Sequence, residues 1–318
     1  MIRPPHANHA AAHTLALLLC LLTLDTSATA QSATPPAQAT PAQDAAPAAQ
    51  PVRMSVIVTD ASGRSAAGVR QEEIAVAEDG QAQAVTRFAA EEPPVSYGLV
   101  IDNSRSLARR LDSVIKAAEA ILRSNRPGDE TFVLRFVDGT KIELLQDYTS
   151  DLGSLNDAVA SLYAEGGSTA VIDAVTLAVN HADEKRGAAA GRRRALVLIS
   201  DCEDRSSSYK QSDLVDLLRR KDVQVFVIAL PGEMQSPPAR ARKLAETIAS
   251  ESGGRYFLAQ DGPALQAAVE EVARNLRAQY ALEYRSTNAA RDGKFRKVEV
   301  KAAGGRRVFA RPGYFAGK

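Results

Sequence analysis

From residue 95 onward, short apolar runs alternate with longer stretches whose apolar positions recur every three or four residues. The runs read as strands buried on both faces, and the stretches as helices with one apolar stripe. Strands are predicted at 95–101, 131–137, 195–200, 223–229 and 255–259, and helices at 107–124, 152–163, 170–182, 212–220, 239–252 and 263–278. In the helix at 107–124 the stripe is Leu111, Val114, Ile115, Ala118 and Leu122. Asp138-Gly139 turns the chain into 141–145, which reads as an antiparallel edge strand. This succession implies an α/β fold with a doubly wound, mostly parallel sheet.

The two ends follow another period. Residues 52–59 alternate apolar and polar, 61–64 read as a turn, 74–77 as a short strand, and Glu78-Asp79-Gly80-Gln81 as a hairpin signal leading into a strand at 84–88. After residue 279, strands are predicted at 280–284, 295–300 and 307–310, joined by 288–293 and Gly304-Gly305. Neither group can bury a face alone. Segments 52–92 and 279–318 are therefore expected to build one β-sandwich-like subdomain flanking a central domain at 93–278.

Before residue 52 the pattern is not that of a fold. Residues 1–30 combine Arg3, an apolar core at 15–24 too short to span a membrane, and Ala28-Thr29-Ala30, which together read as an export signal cleaved near Ala30. Cys20 lacks the preceding small residue of a lipoprotein signal, so no lipid anchor is expected. Residues 31–51 are almost wholly Ala, Pro, Gln, Ser and Thr, too poor in large apolar groups to order, and read as a tether. Removing the leader leaves Cys202 as the one thiol, so an exported, periplasmic or secreted chain would hold together without an internal disulfide. Beside a buried strand end, Cys202 reads as a small packed residue.

The chemistry gathers where apolar strands end. Asp102, Ser104 and Ser106 stand at alternate positions after the strand at 95–101, Thr169 lies just before the helix at 170–182, and Asp201 ends the strand at 195–200. In a doubly wound sheet these carboxyl ends open onto the crevice where ligands bind. Two carboxylates and three hydroxyls, without imidazole or thiolate, form an all-oxygen set suited to a hard divalent cation such as Mg²⁺.

This ordered set closely resembles the metal-ion-dependent adhesion site of von Willebrand factor A-type (VWA) domains, a D-x-S-x-S run followed by a distant Thr and a distant Asp, over roughly residues 95–278. The end-to-end layout is also similar to a bacterial exported family in which such a domain is bracketed by β segments. The resemblance implies a Rossmann-like domain in which Ser104, Ser106 and Thr169 bind the cation directly or through water and Asp102 and Asp201 help hold it. It also implies a protein partner whose carboxylate completes the shell. Two residues depart from the pattern: Arg105 stands where many members have Gly, and Cys202 follows Asp201 where Gly is usual. Arg105 either sits beside the metal or points outward to an acidic partner. Asp204 is placed to accept a hydrogen bond from metal-bound water, Ser206 belongs to a polar rim, and Asp173 in the first turn after Thr169 reads as a helix-dipole partner.

Other classes find little support. The formal charge of +1 and the absence of aromatic interleaving make Arg192–Arg194, Arg219–Lys221 and the Arg240, Arg242, Lys243 group solvated faces rather than a nucleic-acid surface. Of four histidines only His181 lies beyond the leader, and it reads as a surface residue, so a Ser-His-Asp or Cys-His site has nothing to draw on. No Gly-rich turn follows the first strand of the sheet, which argues against a dinucleotide fold. The surviving enzymatic option is a Mg²⁺-dependent phosphatase-like site with Asp102 as nucleophile, but position 104 is Ser and no lysine ends a predicted strand. The expected function is non-enzymatic: an exported adhesion-type module that recognises a protein through Mg²⁺, Mn²⁺ or Ca²⁺. A metal-free scaffold is the alternative within the binding class.

Overall fold

The structure, a computed structural model, describes residues 51–184, 191–231 and 237–317. The expected leader and tether lie outside the described residues, except that Pro51, expected to end the tether, is the first residue of a strand. The chain opens with β1 (Pro51–Thr59), β2 (Ile74–Glu78), β3 (Gln81–Gln83) and β4 (Val85–Glu91). The central part runs β5 (Val95–Asp102), a 3₁₀ helix (Arg105–Arg110), α1 (Leu111–Leu122), β6 (Glu130–Asp138), β7 (Lys141–Thr149), α2 (Leu152–Ala160) and α3 (Val171–Glu184). It continues through β8 (Arg193–Ser200), α4 (Gln211–Arg220), β9 (Gln224–Ala229), α5 (Ala239–Ser252), β10 (Tyr256–Leu258) and α6 (Gly262–Arg277). Four further strands follow: β11 (Gln279–Arg285), β12 (Phe295–Ala302), β13 (Arg307–Phe309) and β14 (Gly313–Phe315).

The central sheet has the order β10-β9-β8-β5-β6-β7, parallel except for β7, which lies antiparallel to β6 at the edge. Every residue of β5, β8 and β9 is buried, which explains their unbroken apolar runs. Successive side chains point to opposite faces. Leu99, Ile101, Val197 and Ile199 pack under α1, α2 and α6, whereas Val100, Leu196, Leu198 and Val225 pack under α3, α4 and α5. β5 sits at the middle, with β6 on one side and β8 on the other, so its carboxyl end marks the point where the strand order switches direction. At Gly98 a Cβ would fall 2.1 Å from Cζ of Phe132 on β6, so β5 admits only glycine there unless that ring moves.

The flanking part is a sandwich of two antiparallel sheets, β13-β1-β11-β4 and β14-β12-β2-β3. β1 faces β11 with Val52 opposite Tyr284, Met54 opposite Leu282 and Val56 opposite Tyr280, so each pair places two apolar side chains on one face. Val52, Met54, Val56, Val58, Ile74, Val76, Leu282 and Val298 form a core of their own. The carboxylate of Glu78 is buried among them and accepts hydrogen bonds from Tyr284 Oη (2.7 Å), Ser286 Oγ (2.6 Å) and Tyr314 Oη (3.0 Å). Arg255 fastens the two parts together. Its guanidinium lies between the rings of Phe257 (4.7 Å) and Phe309 (4.9 Å), pairs with Glu271 at 3.1 Å, and donates to the carbonyl of Gly63 at 2.8 Å.

Several elements differ from expectation. The Asp79-Gly80 turn, with φ of +48° and +83°, folds β2 onto the three residues of β3, while the strand expected at 84–88 belongs to β4 and pairs with β11 in the other sheet. The helix expected from residue 107 begins as the 3₁₀ helix and becomes α-helical at Leu111. Arg193 and Arg194, read as a solvated face, are buried: Arg193 caps the end of α6 by donating to the carbonyls of Leu276 (3.0 Å) and Arg277 (2.7 Å), and Arg194 pairs with Asp183 at 3.3 Å. His181 is half-buried rather than on the surface, its ring stacked on Tyr148 and edge-on to Phe132, with Nε2 at 2.9 Å from Asp147. Among the described residues no helix is long and apolar enough to cross a membrane.

Candidate metal centre

Asp102 is the last residue of β5 and is fully buried. Its Oδ1 accepts from the Ser104 amide at 2.9 Å, which turns the chain sharply out of the strand, and its Oδ2 accepts from Ser200 Oγ at 2.6 Å. Ser200 ends β8, the neighbouring strand, and its hydroxyl also accepts from the Cys202 amide at 2.9 Å. Sequence reading passed over Ser200; the available signal was that it closes the strand paired with β5, beside Asp201.

The three predicted hydroxyls meet. Thr169 Oγ1 donates to Ser104 Oγ at 3.1 Å, and Ser104 Oγ lies 3.0 Å from Ser106 Oγ. Ser104 takes the N-cap position of the 3₁₀ helix, yet its side chain makes no capping hydrogen bond, so its oxygen faces the hydroxyl cluster instead. Gly167 keeps the Thr169 loop close to the sheet, since a Cβ there would fall 2.5 Å from Val137 Cγ1.

Asp201 completes the group. Oδ1 accepts from the Glu203 amide at 2.9 Å, while Oδ2 is buried without a hydrogen bond of normal geometry. Burial raises the pKa of both aspartates. For Asp102 the Asp201 charge adds to burial and pushes it up to about 7, against hydrogen bonds from Ser104 and Ser200. The Ser106 hydroxyl faces Asp201 and, with the Glu203 amide, favours its charged form. Two buried carboxylates thus share a site with no cationic side chain among the described residues bonded to either. Among the described residues no three His, Cys, Asp or Glu side chains converge, so any cation here relies on this pair and on hydroxyls. That donor chemistry fits a hard divalent cation, and the buried Asp201 Oδ2 is an acceptor without a well-formed hydrogen bond.

The remaining candidates divide. Asp204 is engaged by the Ile172 amide at 3.1 Å and by Ser207 Oγ, and so anchors its loop to the start of α3. Ser206 bonds the Ser168 carbonyl, and its amide reaches the Thr169 carbonyl at 3.2 Å, which seats the rim against the Thr169 loop. Asp173 is buried, and its oxygens accept from the Ser208 (2.8 Å) and Tyr209 (2.9 Å) amides. Cys202 is buried and has φ +58°, the left-handed region where glycine is at ease, so the Cys side chain is held in a backbone conformation that suits glycine better. Arg105 is exposed and lies over the Thr169 loop, with Nη2 3.4 Å from where a Gly166 Cβ would stand.

A family model for the von Willebrand factor type A domain matches residues 98–271, more than half of the chain. The chain belongs to that family. Such VWA domains are typically binding modules that mediate protein interactions. The solved structures similar to this VWA protein include the conserved hypothetical protein BatB from Bacteroides thetaiotaomicron, at 19% identity over 57% of this chain and 98% of that one, with a TM-score of 0.44. A von Willebrand factor type A protein from Catenulispora acidiphila is 13% identical over 86% of this chain and 75% of that one, with a TM-score of 0.48. The vWF domain of the type V pili tip protein Mfa5 from Porphyromonas gingivalis is 12% identical over 58% and 95%, with a TM-score of 0.48. No curated protein matches the VWA chain.

Proposed function

We propose that this protein is a non-enzymatic binding module that recognises an acidic group on a protein partner through a divalent cation held by Asp102, Ser104, Ser106, Thr169 and Asp201. The observation that carries this reading is the pair of buried aspartates, one pushed up to about 7 by burial and by its neighbour, the other with a buried, unpartnered oxygen. Such a pair is costly without a positive charge nearby. When bound, the cation supplies Lewis acidity toward a partner carboxylate. The side chains do the rest. Ser200 and the Ser104 amide fix both oxygens of Asp102, and the Glu203 amide fixes one oxygen of Asp201. The hydroxyls add donor oxygens without adding charge, so two aspartates balance two positive charges and an incoming acid is not repelled.

The test is metal-linked stability. A ligand that binds only the folded state adds about 2.7 kcal/mol at one hundred times its dissociation constant. Millimolar Mg²⁺ or Mn²⁺ is expected to raise the Tm of the wild type and leave that of Asp102→Ala unmoved. Identical wild-type melting curves in chelator and in excess cation would overturn the reading and favour a metal-free scaffold.

A further inference from the structure

We infer that the face around Asp102 carries a second, arginine-based contact for acid, so that its partner is a polypeptide presenting a cluster of carboxylates rather than one. This rests on the cation-dependent reading above for the first carboxylate and on Arg105 and Arg109 for the rest. Both arginines belong to the 3₁₀ helix Arg105–Arg110 and both are exposed. A 3₁₀ helix has three residues per turn, so residues three apart lie above one another. Arg109 therefore rises on the same edge as Ser106, a member of the hydroxyl cluster. Arg105, between Ser104 and Ser106, reaches to Gly166 on the Thr169 loop. Two guanidiniums thus rise from positions four apart on one short helix, Arg105 toward the Thr169 loop and Arg109 one turn beyond Ser106.

Most acids of this face are already engaged, Asp112 in the first turn of α1 being the exposed exception. Glu165 is paired with Lys141, Glu203 with Arg205, and Asp138 accepts from Thr140 at 2.8 Å. Asp204 holds the Ile172 amide, and Asp261 accepts from the Ala264 amide at 2.8 Å. Neither Arg105 nor Arg109 makes an ion pair among the described residues, although many other arginines of the chain do, for example Arg135 with Glu143 and Arg219 with Glu251. Two planar donors left unpaired beside a site that takes a carboxylate complement further carboxylates on the same ligand. On the far side of the Thr169 loop, a shallow trough of about 420 Å³ runs between Asp138, Thr140, Ser168, Ser206 and Ser208, all small side chains, and leaves room for the partner's chain.

The experiment uses two fluorescein-labelled Gly/Ser peptides, one with a single Glu and one with four consecutive Glu, titrated by anisotropy against the mature chain in Mg²⁺ and in EDTA. In Mg²⁺ the four-Glu peptide is expected to bind about fivefold tighter than the single-Glu peptide, beyond whatever preference the Arg105→Gln/Arg109→Gln double variant retains, as two exposed ion pairs allow. That variant should keep its Mg²⁺-induced rise in Tm, which shows that it folds and still takes the cation. An unchanged preference in the double variant would overturn the arginine contact while leaving the cation reading intact. An arginine-dependent preference of equal size in EDTA, with no Mg²⁺ effect on either peptide, would overturn the cation reading and with it the two-point contact.

Discussion

Asp102 has both oxygens committed before any ligand arrives, one to the Ser104 amide and one to Ser200 Oγ, and it still titrates near neutrality because burial and Asp201 disfavour its charge. A folded-state pKa raised from 3.8 to about 7 means that the cation-free native chain holds a proton which the unfolded chain has released. Its stabilising contribution is full below about pH 4 and is lost as pH rises through about 7. In EDTA, the stability of wild type relative to Asp102→Asn is therefore expected to fall between pH 5 and pH 8, read as the difference in urea midpoints. Mg²⁺ should stabilise the wild type more at pH 8 than at pH 5, because the cation must displace that proton. A wild-type advantage that is flat across this range would show that Asp102 is not the group raised. At this scale the sequence made the five oxygen-bearing residues readable, since each stands at a strand end or just before a helix. It did not make Ser200 or the left-handed backbone of Cys202 readable, because both depend on how β8 meets β5 and on where the chain must go after Asp201.

The elements that came closest to expectation are those whose apolar pattern is dictated by one environment along their whole length. β5, β8 and β9 are buried end to end, and the helix expected at 239–252 coincides with α5. Some short strands fared worse, although β10 and β13, three residues each, fall where strands were expected at 255–259 and 307–310. β3 and β14 have three residues each, too few to show a period, and β4 joins a sheet that the hairpin before it does not enter. β5 carries the stronger consequence, because it bears Asp102 and has Gly98 pressed against Phe132. Gly98→Ala is expected to destabilise the fold by about 1–3 kcal/mol, as overpacking does, and to weaken Mg²⁺ binding through displacement of the strand end. Adding Phe132→Leu should recover part of that loss, seen as a coupling in denaturation midpoints. Strictly additive effects of the two changes would show that the ring is not what excludes the methyl group.

Across the whole molecule, the sandwich is made from both ends of the described chain, with the central sheet inserted between β4 and β11. The alternating pattern announced that two groups of strands needed each other, since neither could cover its own apolar face. It could not announce the partners: β1 lies between β11 and β13, so both of its neighbours come from the far end. Deleting residues 279–318 removes both and uncovers Val52, Met54, Val56 and Val58. The truncated chain is expected to aggregate, or to lose hydrogen-exchange protection across β1, while amides of β5 and β8 remain protected. Unaltered protection of β1 after truncation would show that it holds its place without β11.

Pro51, at the start of β1, and Gly317, just past β14, line the same cavity at one end of the sandwich. The molecule therefore has a defined path for mechanical load. A pull between these two points would enter through β1 and β14, the latter braced on α4 by Arg220 over the Phe315 ring at 4.2 Å. A pull between that cluster and the ends is different, because the chain leaves the central sheet by two covalent routes, the link from β4 into β5 and the link from α6 into β11, with Arg255 and Arg220 bracing the junction. Two parallel attachments divide the tension between them, so a bound partner would tug on a doubly anchored platform rather than on a single thread.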